Sequence, residues 1–315
     1  MGFVRPGVGA PGGKGSGMVK TYVLETRPQF LTLAAVLVLH GSTLAAWHGP
    51  IVWWHAVLAG VALVLLQASV NVLNDWHDYT RSGIDHKTVQ TPFSGGSGML
   101  PRGEITPGAA LALGIGTLLT GAGIGLYLSW IAGLPLLVIG LVGAISVVLY
   151  TPLLTRIGLG ELSAGFALGT LPVVGTYFLL TGRFDAAAWV SGIPAGLLTY
   201  NLLLLNEFPD TEADTAGGRH HMVVLLGKAR ARWLYAAVEI GAFVAIVAGA
   251  VAGVLTPWAL LGLGAAVFGL KAVSTTLAQY ESFEGLIPAQ GANVVAVLAT
   301  NVLLAVGYAV AAVLG

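Results

Sequence analysis

Two short acidic stretches of the sequence have residue types and spacings that suit the binding of divalent cations. They are Asn-Asp-Trp-His-Asp at 74–78 and Asn-Glu-Phe-Pro-Asp at 206–210, and they share the pattern Asn-acid-x-x-Asp. Aspartates three or four residues apart would lie on one face of a helical turn. Carboxylates crowded in this way are favoured when a hard cation such as Mg²⁺, which prefers oxygen ligands, lies between them. The residues expected to hold cations are Asp75, Asp78, Asp210 and Asp214.

Mg²⁺ in proteins commonly shares its ligand shell with substrate phosphates, so two acidic clusters facing one cavity predict a metal-bridged diphosphate. Basic residues follow both clusters: Arg81 and Lys87 follow the first, and Arg219 follows the second. The alternative is that the acids only solvate helix ends, but the repeated pattern disfavours it. Asn71 lies one turn before Asp75 in an apolar run, where its amide needs a partner. That partner is a metal ion, a phosphate oxygen or a neighbouring helix.

Composition places these clusters in a membrane protein. The chain is 56% hydrophobic and 9% charged, whereas about 25% of an ordinary soluble domain is charged. It has no cysteine, which excludes disulfides and a thiol nucleophile. Cutting the apolar runs at polar or Gly/Pro breaks predicts nine spans of about 20 residues. They are 28–47, 51–73, 107–128, 131–150, 158–181, 186–205, 231–254, 257–279 and 291–314.

The distribution of cations predicts the orientation. Residues 1–26 are expected to be a flexible N-terminal arm, and residues 27–315 a single membrane domain. If the arm is cytoplasmic, every Lys and Arg except Arg183 lies on that side, as the positive-inside rule requires. Both acidic clusters then face the cytoplasm.

The position of the shared pattern indicates an internal repeat. Spans 1–4 and 5–8 each carry it at the end of their second helix, and span 9 is an addition. We therefore expect an all-α membrane protein in which nine helices surround a central cavity. The two long loops, about 81–106 and 207–230, are expected to form a cytoplasmic cap over it.

The sequence resembles the UbiA superfamily of intramembrane prenyltransferases over nearly its whole length from Arg27. The resemblance is carried by Arg-Pro-Gln-Phe-Leu at 27–31, by 71–79 with 83–87, and by 206–214 continuing to Arg219. Three further segments resemble the branch that prenylates 1,4-dihydroxy-2-naphthoate for menaquinone: Tyr-Thr-Pro at 150–152, Gly-Leu-Gly-Glu at 158–161 and Pro-Val-Val-Gly-Thr-Tyr at 172–177. One segment departs from that branch, since residues 88–100 carry no charge.

The resemblance implies a magnesium-dependent transfer of a polyprenyl group from polyprenyl diphosphate to an aromatic acceptor, which in the naphthoate branch loses its carboxylate as CO₂. It also implies two Mg²⁺ ions held by the four aspartates with help from Asn71. Arg81, Asp85, Lys87 and Arg219 would bind the diphosphate side of the substrate. The expected partners are these two substrates and the lipid bilayer, with no nucleic acid, and the expected location is the cytoplasmic membrane.

Several residues have two interpretations. Aromatic faces stabilise cations, so Tyr150 is a catalytic candidate, yet aromatics at helix ends also anchor helices at the interface. Arg27 would meet an acceptor carboxylate or anchor span 1 to lipid phosphates. Glu161 would orient an acceptor hydroxyl or act as a base. Alternatively, its charge is only favoured by the dipole at a helix N-terminus. The further aromatic candidates are Tyr177, Phe178 and Tyr200, and no role is assigned to His77, His86, His220 or His221.

Two other functions remain open on the sequence alone. A cation-coupled transporter would also use buried acids and an internal repeat, but its sites should lie near mid-membrane. A prenyltransferase for 4-hydroxybenzoate differs in acceptor only. Small residues in span 5 could widen a slot for a bicyclic acceptor, or could serve close helix packing. These are Gly160, Ala164, Gly165 and Gly169.

Overall fold

The computed structural model describes residues 16–83, 93 and 95–314, and all regular structure within them is helical. Three spans contain a π-helical segment, and one begins as a 3-10 helix, Pro257–Ala265. The α-helices are α1 Ser16–Glu25, α2 Pro28–Trp47, α3 Trp53–His77, α4 Pro107–Ala132, α5 Leu134–Leu149, α6 Gly160–Ser163, α7 Leu171–Thr181, α8 Ala186–Ala216, α9 Met222–Leu226, α10 Lys228–Val251, α11 Ala266–Gln279 and α12 Phe283–Leu314.

Nine helical segments of the described chain are long and apolar enough to cross a bilayer, which confirms the predicted number. Three of them extend well beyond the predicted limits: Trp53–Arg81, Ala186–Ala216 and Phe283–Leu314. Hydropathy places the end of a span where polar residues begin. A helix forms its backbone hydrogen bonds within itself, so it can continue past that point. Both acidic clusters are consequently part of their helices and do not follow them.

The N-terminal segment differs from the predicted arm. Residues 16–25 form helix α1, so an irregular conformation does not hold for this part of the chain. Most of the glycines and both prolines of the segment lie before residue 16, and they dominated the composition on which the prediction rested. Glu25, the last residue of α1, is fully buried.

Span 5, Gly160–Thr181, packs closely against α8. A Cβ atom at Gly165 would approach the carbonyl oxygen of Gly196 to 2.8 Å, and one at Gly169 would approach that of Ala195 to 2.8 Å. Small residues therefore allow the two backbones to approach here, as in other membrane helix pairs. The predicted slot for a bicyclic acceptor is therefore wrong at Gly165 and Gly169, because α8 already occupies the space beside them.

The remaining surfaces of the bundle match a bilayer. Large apolar side chains of α4 and α5 are exposed, including Leu119 at 66% and Val148 at 55%. Some buried polar side chains inside the bundle bond one another: His40 bonds Asn301 at 2.9 Å and Ser191 at 2.7 Å. The fold thus exposes apolar side chains outwards and pairs polar side chains such as His40 inwards, as in other membrane-spanning proteins.

Candidate active site

A cavity of about 180 Å³ lies between the acidic ends of α3 and α8. It contains three of the four predicted metal-binding aspartates. Its polar lining consists of Arg27, Gln67, Asn71, Asn74, Asp78, Tyr150, Thr155, Thr199, Asn206, Glu207, Asp210, Asp214, Arg219 and His221. Its apolar lining includes Phe30, Leu33, Phe93, Ala164, Leu168 and Leu202.

Each of the three π-helical segments begins at a residue that lines this cavity. The segments are Asp78–Ser82, Tyr150–Leu154 and Ala164–Thr170. Pro152 lacks an N–H and so cannot continue the regular hydrogen bonding of α5. Widened turns of this kind redirect side chains and occur often at functional sites.

Arg219 joins the two acidic clusters across the cavity. Its Nη1 donates to Asp214 Oδ1 at 2.9 Å, and its Nη2 donates to both carboxylate oxygens of Asp78 at 2.6 Å. Burial alone would lower the pKa of Arg219, but Asp78 and Asp214 raise it above its usual value. The guanidinium therefore stays charged. The predicted meeting of the two clusters is confirmed by these contacts.

Asn74 connects the first cluster to span 4, Leu134–Leu154. Its Oδ1 accepts a hydrogen bond from Thr151 Oγ1 at 2.8 Å, and its Nδ2 donates to Asp78 Oδ2 at 3.3 Å. Thr151 follows the candidate Tyr150 in the π-helical segment. These bonds fix the position of Asp78 relative to Tyr150.

Asp75 is buried beside the cavity and is held by the loop that follows α3. The backbone N–H of Ser97 donates to Asp75 Oδ2 at 2.7 Å. Gly96 has φ +74°, and a Cβ at this position would lie 3.1 Å from Asp75 Oδ1. Asp75 Oδ1 has no hydrogen-bond partner among the described residues. Arg27 Nη1 lies 4.0 Å from this oxygen.

Arg27 occupies a strained backbone conformation at the start of α2. Its φ is 55°, and it is the one residue other than glycine with a positive φ in the described chain. Strain of this kind persists where surrounding contacts fix it, often at functional sites. The guanidinium stacks on Phe30 at 4.8 Å. Of its two interpretations, the contacts favour a role in the cavity over an anchor at the lipid surface.

Asn71 lines the cavity and has protein partners. Its Nδ2 donates to the carbonyl oxygen of Thr26 at 2.9 Å, and its Oδ1 accepts from Gln67 at 3.3 Å. The amide is thus oriented with Oδ1 still able to accept a second bond.

Glu161, Glu207 and His221 meet at the edge of the cavity, and all three are buried. Glu161 accepts a hydrogen bond from the Met222 N–H, and His221 Nε2 lies 3.0 Å from Asp214 Oδ2. His221, to which the sequence pattern assigns no role, therefore lies at the site. Glu207 could have been found from the sequence, because it occupies the same place in its stretch as Asp75. Proximity in the chain to Arg219 was the one signal for His221.

Other predicted residues lie elsewhere. Arg81 is exposed, with its guanidinium over the ring of Trp76, and is not part of the cavity lining. Asp85 and Lys87 lie outside the described residues. Tyr177 packs against His48 at the opposite end of α2, so it is not at the cavity. The cap remains a prediction, although α9 lies beside the site.

The donor set fits magnesium. Asp78, Asp210 and Asp214 present carboxylates to one cavity, and buried Asp75 Oδ1 has no hydrogen bond from any residue that the structure describes. Oxygen-rich sites of this kind suit Mg²⁺, which takes carboxylates together with substrate phosphates.

Comparison with known proteins agrees with this chemistry. The 1,4-dihydroxy-2-naphthoate octaprenyltransferase of Mycobacterium leprae is 31% identical over 263 residues, covering 80% of this chain and 84% of the relative. The protein of the same name from Mycobacterium tuberculosis is 32% identical over 261 residues, with the same two coverages. The one from Bacillus subtilis is 30% identical and covers 74% of each chain.

Solved structures share the fold at lower identity. The apo structure of a UbiA homologue from Aeropyrum pernix K1 has a TM-score of 0.69 at 17% identity, covering 89% of this chain and 97% of that chain. A UbiA homologue from Archaeoglobus fulgidus, bound to GPP and Mg²⁺, has a TM-score of 0.58 at 14% identity. The match covers 90% of this chain and 99% of that chain. The model of the UbiA prenyltransferase family matches residues 33–283. This integral membrane protein therefore belongs to the UbiA prenyltransferase family and is a prenyltransferase.

Proposed function

We propose that this enzyme transfers a polyprenyl group from polyprenyl diphosphate to 1,4-dihydroxy-2-naphthoate, for menaquinone synthesis, in the cavity between α3 and α8. The observation that supports it best is the contact of Arg219 with Asp78 and Asp214. This contact creates one site from two acidic clusters, and such a site can hold a metal-bound diphosphate.

The diphosphate would lie between the two clusters, with two Mg²⁺ ions held by Asp75, Asp78, Asp210 and Asp214 and by Asn71 Oδ1. Bound Mg²⁺ neutralises the negative charge of the departing diphosphate. Arg219 and Arg27 supply positive charge from the protein at the same place. Arg219 does so from a fixed position, because the two aspartates hold its guanidinium.

The reaction breaks the bond between C1 of the prenyl chain and the diphosphate oxygen, whose electron pair leaves with the diphosphate. The acceptor ring carbon that carries the carboxylate forms the new bond to C1. The bond from this carbon to the carboxylate then breaks, CO₂ leaves, and the electron pair returns to the ring. No proton is gained or lost in the sum. Tyr150, Phe30 and Leu168 on the cavity wall would keep water from the allylic cation.

The prenyl tail would extend into the apolar part of the bundle. A second cavity of about 310 Å³ has an almost wholly apolar lining from α3, α4, α5 and span 5. Ala167 and Leu171 line this cavity, and Ala164 and Leu168 of the same span line the first. The shared wall supports a route for the tail from the diphosphate site towards lipid.

The acceptor is proposed from the curated relatives, whose names specify 1,4-dihydroxy-2-naphthoate. The cytoplasmic membrane and an opening to the cytoplasm are proposed from the charge bias, since Arg183 alone would lie outside. The apolar lining of the cavity and the guanidinium groups of Arg27 and Arg219 would also accept 4-hydroxybenzoate, so the choice of acceptor needs a direct test.

That test offers both acceptors in competition for one polyprenyl diphosphate with Mg²⁺, using the purified full chain, and identifies products by mass spectrometry. We expect prenylated naphthalenediol whose mass shows loss of CO₂. A prenylated hydroxybenzoate that retains its carboxylate would overturn the proposed acceptor. Omission of Mg²⁺, and separately the Asp210→Asn variant, serve as controls for turnover that does not come from this site.

A further inference from the structure

The cluster of Glu161, Glu207 and His221 contains none of the predicted magnesium ligands, although His221 contacts one of them, Asp214. One carboxylate oxygen from each glutamate and one ring nitrogen of the histidine lie within 4.8 Å of one another. Glu161 is 0% exposed, Glu207 7% and His221 1%. Two carboxylates this deep and this close are costly unless a cation or a shared proton lies between them.

Each of the two glutamates has a buried oxygen with unused lone pairs. Glu161 Oε1 accepts the Met222 N–H, but Glu161 Oε2 is buried and receives no hydrogen bond from the described part of the chain. Glu207 Oε2 is likewise buried without a hydrogen bond in those residues. Buried polar atoms in native proteins are nearly always satisfied. A cation, or a proton shared between the two carboxyl groups, would satisfy both oxygens.

The orientation of His221 adds a third lone pair. Its Nε2 is 3.0 Å from Asp214 Oδ2, and because a carboxylate accepts only, Nε2 carries the proton. In a neutral imidazole Nδ1 is then the acceptor nitrogen. It lies 3.6 Å from Glu207 Oε2, and the Val224 N–H is 3.4 Å away, long for a hydrogen bond. In that tautomer Nδ1 and Glu207 Oε2 face each other with their lone pairs.

One of the three ligand spacings is close to that of a coordinated cation. A metal ion bound tetrahedrally at about 2.1 Å from each ligand holds those ligands about 3.4 Å apart. The 3.6 Å between Nδ1 and Glu207 Oε2 is close to this value. Imidazole suits Zn²⁺ and carboxylates suit Mn²⁺, whereas Mg²⁺ prefers oxygen alone. The ligand set therefore differs from the all-oxygen aspartate clusters.

We propose that Glu161 Oε2, Glu207 Oε2 and His221 Nδ1 form a third cation site, which takes Mn²⁺ or Zn²⁺. The Nε2–H of His221 connects this site to Asp214 and so to the diphosphate site. A bound cation holds the end of span 5, helix α8 and the segment before α9 together at the cavity edge. The proposal does not depend on the identity of the acceptor.

Nitrogen coordination separates this site from the predicted aspartate ligands, which offer oxygen. The glutamine variants separate it from His77, whose Nδ1 lies 3.8 Å from Asp78 Oδ1. Purified full chain without a histidine tag is loaded with Mn²⁺, and pulsed electron paramagnetic resonance records the modulation from a directly bound ¹⁴N. We expect this modulation in the wild type, and we expect it to persist when excess Mg²⁺ displaces Mn²⁺ from the aspartates. Glu161→Gln and Glu207→Gln should each abolish it, and equilibrium dialysis should show one Mn²⁺ fewer per chain.

Two variants control for unrelated effects. Glu239→Gln removes another buried carboxylate, which lies on α10 outside the cluster and accepts a hydrogen bond from Asn201 at 2.8 Å. Asp75→Asn removes a predicted ligand of the first aspartate cluster. Both should retain the ¹⁴N modulation. Wild-type Mn²⁺ spectra without ¹⁴N modulation would overturn the site even if the glutamine variants fail to fold. So would equal Mn²⁺ binding by wild type and folded Glu207→Gln, which would mean that the two glutamates share a proton.

Discussion

The guanidinium of Arg219 lies 2.6 Å from the carboxylate of Asp78, although 141 residues separate the two in the chain. The same side chain bonds Asp214, so one residue fixes the distance between α3 and α8 at their acidic ends. Because the contact neutralises part of each cluster, it also allows the clusters to approach before any substrate binds.

Replacing Arg219 with lysine should separate its charge from its geometry. A lysine keeps one positive charge but lacks the planar fork that bonds two carboxylates at once. We expect kcat/KM for polyprenyl diphosphate to fall by roughly 100-fold. Steady-state kinetics at saturating acceptor measure it. Arg230→Lys, at an exposed position of α10, is the matched control and should behave as wild type. Equal rates for the two variants would show that charge alone is needed.

The aspartate clusters should be essential one residue at a time. Asp75→Asn and Asp210→Asn preserve side-chain shape but weaken cation binding, so each should abolish turnover at saturating substrate while the chain remains folded. Glu212 is exposed on the same helix between Asp210 and Asp214, and Glu212→Gln should retain activity. Turnover is followed over a Mg²⁺ titration, and folding by thermal melting. Near wild-type rates in either Asn variant would contradict the mechanism that uses two clusters.

Gly96 and Gly103 form a matched pair that tests the contact between the loop and Asp75. Both have positive φ, at +74° and +69°, but only Gly96 has Asp75 within reach of an added Cβ. Alanine costs about 1 kcal/mol of backbone strain at either position. We expect Gly96→Ala to lose much more activity than Gly103→Ala at a similar melting temperature. Equal activities would show that the loop does not position Asp75.

Much of this arrangement could be predicted from local sequence. The spans follow from hydropathy, and the acidic clusters from a pattern of five residues that occurs twice. The choice between Arg81 and Arg219 could not be predicted, because both are cations after an acidic cluster. Only the packed structure shows that Arg81 faces outwards over Trp76, whereas Arg219 is held between the clusters. The burial of His221 likewise depends on α8 and span 5 meeting, which no local pattern specifies.

Glu25 should make stability depend on pH. Burial raises the pKa of Glu25 to about 7, against the opposing effect of the hydrogen bond from Ser97, and Asp75 raises it further. The folded protein thus binds this proton more tightly than the unfolded chain does. The contribution of this bound proton to the free energy of unfolding is present at low pH and is lost as pH rises through about 7. The melting temperature should fall between about pH 5 and pH 8, and less so in Glu25→Gln. The same slope in both proteins would exclude Glu25 as the cause.

The topology can be tested with single cysteines, because the chain contains none. Glu104 and Thr215 are exposed near the two acidic helix ends, and Arg183 is exposed at the opposite end of span 5. If the site opens to the cytoplasm, an impermeant maleimide should label Arg183→Cys in intact cells. It should label Glu104→Cys and Thr215→Cys only in inside-out vesicles. The physical reason is that moving cations across the membrane is unfavourable. Eight further cations are expected on the same side as Glu104 and Thr215: Arg81, Arg102, Arg156, Arg219, Lys228, Arg230, Arg232 and Lys271. Labelling of positions 104 and 215 from opposite faces would contradict the nine-span topology, and labelling of both in intact cells would reverse the orientation.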